Sequence, residues 1–195
     1  MYINWPRREL NLKIVYYGPS LSGKTTNLEM IYQKVDPQRR SELVSLKTHE
    51  DRTLFFDFLQ LELGKIGTLT PKIHLYTVPG QSYYESSRKI VLKGADGVVF
   101  VADSASSRIE DNLMSWRDMI KHLQAMQISA LSLPLVIQFN KQDLPDALSP
   151  SVLRSVMRVN GHPTLGAVAI RGEGVFDTLR AITTAVMSAI QKQMS

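Results

Sequence analysis

The chain has 195 residues with an apolar fraction of 44 % and a charged fraction of 21 %, enough for one domain with a full-sized core and typical of a globular protein. Its 23 Lys and Arg outnumber 18 Asp and Glu, but they are scattered; this speaks against a nucleic-acid patch and leaves an anionic ligand or plain surface charge. The absence of cysteine excludes disulfides, zinc ribbons and thiol catalysis, and a reducing cytoplasm is the expected compartment.

In chain order, Met1-Tyr2-Ile3-Asn4-Trp5-Pro6-Arg7-Arg8-Glu9 lacks an apolar stretch of signal-peptide length. Residue 2 is Tyr where N-myristoylation needs Gly, and Gln191-Lys192-Gln193-Met194-Ser195 carries no prenylation box, so no lipid anchor is expected. Leu12 to Tyr17 is a β-branched and aromatic run that predicts a strand ending at Gly18. From Lys24 to Val35 the apolar residues Leu28, Ile31 and Tyr32 recur at helical spacing, and Pro37 closes that helix. Thr53 to Leu63 alternates strictly and, across the glycines of Gly64 to Thr70, faces a second alternating run at Lys72 to Tyr76, which predicts a β-hairpin. Gly97 to Ala102 and Pro134 to Phe139 are continuous apolar runs expected as central strands buried on both faces.

Ile109, Leu113, Trp116, Ile120 and Leu123 form a helical stripe. Ser149-Pro150 reads as an N-cap followed by Pro at the first helical position, opening a short helix through Val159. Ala167 to Ile170 is expected as a last short strand, and Val175, Leu179, Ile182, Val186 and Ile190 mark a closing helix. Together these predict a single α/β P-loop domain over residues 1–195: a mostly parallel six-stranded sheet with one antiparallel strand and helices on both faces.

Gly18-Pro19-Ser20-Leu21-Ser22-Gly23-Lys24-Thr25 matches G-x-x-x-x-G-K-[ST] in full, between a predicted strand and a predicted helix. Phosphate binding needs this pattern because successive backbone N–H groups, here from Ser20 through Thr26, must converge on oxygens at a helix N-terminus. Lys24 supplies a mobile cation for the β- and γ-phosphates, and the Thr25 hydroxyl can ligate Mg²⁺. Asn140-Lys141-Gln142-Asp143 has the form N-K-x-D directly after a strand. Asp143, acceptor-only, can take the N1–H and exocyclic amino protons of guanine, whereas adenine offers an acceptor at the first place and no donor at the second. Asn140 can bridge to the purine N7 or to the phosphate loop, and the Lys141 stem can cover the ring.

Thr77-Val78-Pro79-Gly80-Gln81, with Asp51-Arg52-Thr53-Leu54-Phe55-Phe56-Asp57-Phe58, Val15-Tyr16-Tyr17-Gly18, Lys93 to Asp103 and Gly174 to Leu179, resembles the MglA family of bacterial Ras-like small GTPases, which set cell polarity and gliding or twitching motility. The resemblance implies that Thr53 is the switch I threonine, completing Mg²⁺ coordination with Thr25, and that Gly80 hydrogen-bonds the γ-phosphate from switch II. It implies that Gln81 orients the attacking water and that Arg52 is an arginine finger supplied in cis, beside Lys24 and Thr53 in catalysis. Ala169, Ile170 and Arg171 would form the last guanine-contacting loop, with the Ala169 backbone facing the base. The implied ligands are GTP or GDP with Mg²⁺, and the implied partners are homodimeric Roadblock-type proteins (MglB) and motility effectors, met in the cytoplasm or at a cell pole.

Plainer readings accompany these. Arg52 between Asp51 and Asp57 also fits a surface ion pair, and Gln81 after Pro-Gly an ordinary turn residue. Phe55, Phe56 and Phe58 fit strand packing better than a partner patch, and His49, His74, His122 and His162 show no metal-ligand spacing. Two positions depart from the wider small-GTPase pattern. Thr77 stands where an outer-shell carboxylate is usual, which predicts a looser metal shell. Ser20 occupies the third loop position, where Gly is common in the MglA family, which predicts slower hydrolysis with binding intact. A non-hydrolysing GTP-binding scaffold and a P-loop kinase are the competing classes.

Overall fold

Leu12, Ile14 and Tyr16 alternate with Lys13, Val15 and Tyr17, so the second strand presents one apolar set to each face of a sheet. That strand, β2 (Glu9–Tyr17), is the centre of the fold in a computed structural model that describes residues 1–47, 53–65, 67–80, 84–159 and 161–194, with backbone alone at 46, 47, 53–55, 193 and 194. On one side β2 pairs in parallel with β5 (Thr70–Thr77), and on the other with β6 (Gly97–Asp103). β6 continues in parallel to β7 (Leu135–Asn140), and β7 to β8 (Thr164–Gly166). Beyond β5, β4 (Thr53–Glu62) is antiparallel, with Leu59 opposite Leu75 and Leu61 opposite Ile73, the predicted hairpin.

Among the described residues the sheet is eight-stranded rather than six-stranded. The two additional strands are β1 (Tyr2–Asn4), antiparallel to the start of β2, and β3 (Val44–Lys47), antiparallel to β4 at the sheet edge. The expected strand at Ala167 to Ile170 is also corrected. The strand is Thr164–Gly166, and Ala169–Arg171 forms a 3-10 turn closed by a bridge between Val168 and Glu173.

Among the described residues, five α-helices cover the two faces. α1 (Lys24–Lys34) contributes Leu28 and Ile31, and α5 (Val175–Met194) contributes Val175, Ile182, Val186 and Ile190, to a core built on Leu12, Ile14 and Tyr16. α2 (Glu85–Leu92), α3 (Ile109–Ala125) and α4 (Pro150–Val156) pack Val91, Leu92, Met119, Leu123 and Leu153 against Val15, Tyr17, Phe100 and Phe139 on the other face. β6 and β7 are buried at every position, because helices cover both of their faces. Ser149 caps α4 by accepting from the Val152 N–H, with Pro150 at the first helical position, though the helix stops at Val156 and not Val159. The rings of Phe56 and Phe58 pack tilted against Tyr76, with centroids 5.8 and 5.0 Å away, as expected of strand packing, while the Phe55 side chain lies outside the described residues. None of the described helices is long and apolar enough to cross a membrane.

Since β2, β6 and β7 are parallel, their C-terminal ends bring Gly18, Asp103 and Asn140 to one edge of the sheet. Open α/β sheets place ligand sites at that edge.

Candidate functional site

The turn from β2 into α1 is tight because Gly23 caps the helix in the left-handed region, with φ 97°. A Cβ there would lie 2.2 Å from Asn140 Nδ2, so glycine is needed to let the N-K-x-D segment touch the phosphate loop. Asn140 uses that proximity: its Nδ2 donates to the Ser22 carbonyl at 2.8 Å, and its Oδ1 accepts from the Ala169 N–H at 2.9 Å. The asparagine thus ties the phosphate loop to the last loop, and in this structure it engages the Ala169 N–H expected to face the base.

Lys24 is buried and its ammonium donates to the carbonyls of Gly18 and Pro19 at 3.0 and 2.7 Å. Burial pushes its pKa down to about 7; the Asp57 carboxylate opposes that shift, while Arg88, Arg108 and Lys141 add to it. A cation held this near neutrality gains its charge most readily when a phosphate arrives to pair with it.

Asp57, in the middle of the Leu54-to-Phe58 run of β4, is fully buried. Its carboxylate accepts from the hydroxyls of Thr25, Ser45 and Thr77, the last at 2.7 Å, while its own N–H donates to Thr77 Oγ1 at 2.8 Å. Thr77, standing where an outer-shell carboxylate is usual, thus donates to one, Asp57, which the β4–β5 pairing sets beside Thr25. Hydroxyl and carboxylate oxygens of this kind suit Mg²⁺, which takes one or two carboxylates, phosphate oxygens and waters. The signal for Asp57 was in the sequence as a lone carboxylate in an apolar strand.

Between the loops lies a cavity of about 240 Å³ lined by Gly23, Thr26, Asn140, Lys141, Asp143, Val168, Ala169 and Ile170. Asn140, Lys141, Asp143, Ala169 and Ile170, expected from sequence at the base, meet Gly23 and Thr26 of the phosphate loop around this one space. Its walls are mostly apolar with a carboxylate at the rim, the form of a purine site. Asp143 is exposed and Lys141 has a left-handed backbone, φ 67°, which directs its ammonium to Asp103 Oδ2 at 2.6 Å. Asp103 and, through it, Arg108 are members of the site that the sequence reading did not single out.

Gly80 follows β5 and lies directly on the phosphate loop, where an added Cβ would be 2.4 Å from the Ser20 N and Cα. Thr53 opens β4 opposite Lys47, while its side chain, like Arg52 and Gln81 as a whole, lies outside the described residues.

Comparison with known proteins agrees with this geometry. The model of the ADP-ribosylation factor family matches residues 3–186. The chain is 49 % identical over 191 residues to the mutual gliding-motility protein MglA of Myxococcus xanthus (strain DK1622), covering 98 % of each. It is 23 % identical to ADP-ribosylation factor-like protein 6 of Caenorhabditis briggsae, over 95 % of this chain and 92 % of that one. The same protein of Caenorhabditis elegans is 22 % identical, over 94 % and 90 %. With a phosphate loop, a Thr25–Asp57 oxygen pair and an N-K-x-D cavity on one sheet edge, the chain belongs to the ADP-ribosylation factor family, as a Ras-like small GTPase of MglA type.

Proposed function

We propose that this small GTPase is a slow switch that binds GTP or GDP with Mg²⁺, hydrolyses GTP when a homodimeric Roadblock-type partner engages it, and controls cell polarity or motility. The supporting observation is that Thr25 meets the Asp57 carboxylate beside Lys24, while Asp143 lines a cavity shared with Gly23 and Thr26, the loop residues that flank Lys24 and Thr25. Lys24 holds the β- and γ-phosphates, the loop N–H groups of Ser20 to Thr26 hold the rest, and Asp143, Asn140, Lys141, Ala169 and Ile170 bind guanine. Thr25 and Thr53 hold Mg²⁺, with Asp57 accepting from its outer shell; the ion, when bound, neutralises charge developing on the phosphates. Gln81 orients the water that attacks the γ-phosphorus as the bond to the leaving GDP oxygen breaks, and Arg52 stabilises that charge. Motility is proposed on the 49 % identity to a gliding-motility protein.

The test is GTP turnover with and without a Roadblock homodimer, after identifying the nucleotide the purified protein carries. Slow turnover, stimulated by the partner and lost in Arg52→Ala, is expected. Stimulation unchanged in Arg52→Ala refutes the cis finger, and no turnover in either condition leaves the second reading. That reading, a GTP-binding scaffold without hydrolysis, is favoured by Ser20, which stands where Gly is common in the MglA family and whose backbone lies against Gly80. It predicts that Ser20→Gly restores turnover.

A further inference from the structure

A cradle for phosphate must present N–H groups and turn its carbonyls away, since a carbonyl oxygen facing a phosphate repels it. In this loop three successive carbonyls are each held by a cation. Lys24 takes those of Gly18 and Pro19, and Arg108 takes that of Ser20, with Nη2 donating at 2.7 Å. Arg108 belongs to a 3-10 turn, Ser106–Arg108, between β6 and α3, and no step of the switch proposed above uses it.

The arginine is itself fixed. Its Nη1 pairs with Asp111, and its Nε lies 3.7 Å from Asp103 Oδ2. Asp103 is buried; the same Oδ2 accepts from Lys141, and Oδ1 accepts from the Ala105 N–H at 3.1 Å. The backbone of Asp103 is bracketed by the fully buried Asn112, whose Oδ1 accepts from the Asp103 N–H at 2.9 Å and whose Nδ2 donates to its carbonyl at 2.8 Å. One carboxylate therefore serves the lysine of the N-K-x-D segment and the arginine that holds the phosphate loop.

In a trans peptide the C=O and the following N–H point in opposite directions. No described peptide is cis. Holding the Ser20 carbonyl toward Arg108 therefore aims the Leu21 N–H away from it. Leu21 needs such a restraint. Its φ is 62°, a region that non-glycine residues avoid, and its side chain is 55 % exposed, so packing does not hold it there.

We propose that Arg108 is a positioning residue of the phosphate loop: it fixes the Ser20–Leu21 peptide so that the Leu21 N–H meets the phosphates of a bound guanine nucleotide beyond the first. The inference rests on the guanine-nucleotide reading of the site. It concerns affinity for the phosphate chain, so it separates from a general structural role by comparing nucleotides that share a base.

The test measures dissociation of a fluorescent GDP analogue, and competition by unlabelled GDP and GMP, for wild type, Arg108→Ala and Arg108→Lys. Arg108→Ala is expected to speed GDP release about tenfold, the scale of one charge-assisted hydrogen bond, and to leave GMP affinity within about twofold. Arg108→Lys keeps a donor for the carbonyl and recovers most of the loss. If Arg108→Ala fails to fold, Arg108→Gln, which keeps a neutral donor, reads the same GDP-to-GMP ratio. Equal weakening of GDP and GMP, or no change in either while wild type binds GDP, overturns the proposal. Failure of wild type to bind any guanine nucleotide overturns the reading beneath it as well.

Discussion

Replacing Gln138 by Met probes a buried amide network that holds the two halves of the site in register. Gln138, on β7 two residues before Asn140, exchanges hydrogen bonds with Asn27 of α1: Nδ2 to Oε1 at 2.8 Å and Nε2 to Oδ1 at 2.9 Å. The remaining protons are also placed, with Gln138 donating to Thr178 Oγ1 at 2.9 Å and Asn27 donating to the Gly23 carbonyl at 2.9 Å. All three side chains are fully buried. Gln138→Met fills similar volume but strands one donor and one acceptor of Asn27, each costing about 1–3 kcal/mol when buried without a partner. The expected loss is roughly 2–4 kcal/mol. For a chain of this length that lowers the melting temperature by roughly 4–16 °C. In the double variant with Asn27→Leu no amide is stranded, and the Gly23 carbonyl keeps its bond from the Asn27 backbone N–H at 3.0 Å. The double variant should thus be less destabilised than the sum of the two singles, by about 2 kcal/mol. Urea unfolding at a fixed GDP concentration measures all four proteins, since bound nucleotide shifts apparent stability. A loss below about 1 kcal/mol in Gln138→Met, or strict additivity, refutes this account of the network.

Asp57→Asn keeps the shape of the residue and removes its charge beside Thr25, so the Mg²⁺ concentration that half-maximally slows GDP release should rise about tenfold; an unchanged midpoint contradicts the outer-shell role. Burial lowers the pKa of His74, His122 and His162 below the ordinary value of 6.5, so the folded protein resists protonation where the unfolded chain accepts it. Stability from these groups is fully present above that value and falls as the pH drops below it. The urea midpoint should therefore decrease from pH 7.5 to 5.5, and do so less when the three histidines are replaced by Gln.

Much of the framework follows from local pattern. The continuous apolar runs of β6 and β7, the stripe of α3 and the Ser149-Pro150 start of α4 each carry a signal tied to one conformation. The elements that pattern does not reveal are short or polar. β1 has three residues and turns through Trp5 to Arg8, with Arg8 rather than Gly at a positive φ of 53°. β3 is a four-residue edge, and α2 opens on Glu85-Ser86-Ser87-Arg88, with its apolar residues gathered at the end. Ala167 to Ile170 has strand-forming composition, but Val168 bridges to Glu173 and Ala169–Arg171 closes as a 3-10 turn, so tertiary structure prevails.

The site divides in the same way. Contiguous motifs identify the phosphate loop and the base loop. Asp57 meets Thr25 only through the β4–β5 pairing, and Arg108 meets Ser20 across 88 residues, contacts that no local spacing encodes.

The central claim, that the cavity selects guanine through Asp143, is tested most directly by competition of GDP against xanthosine diphosphate for wild type and Asp143→Asn. Xanthine keeps the N1–H but carries a carbonyl in place of the amino group, so an asparagine amide pairs with it where a carboxylate cannot. Wild type should prefer GDP by about a hundredfold, and Asp143→Asn should reverse that order. A variant that still prefers GDP as strongly as wild type would contradict the account.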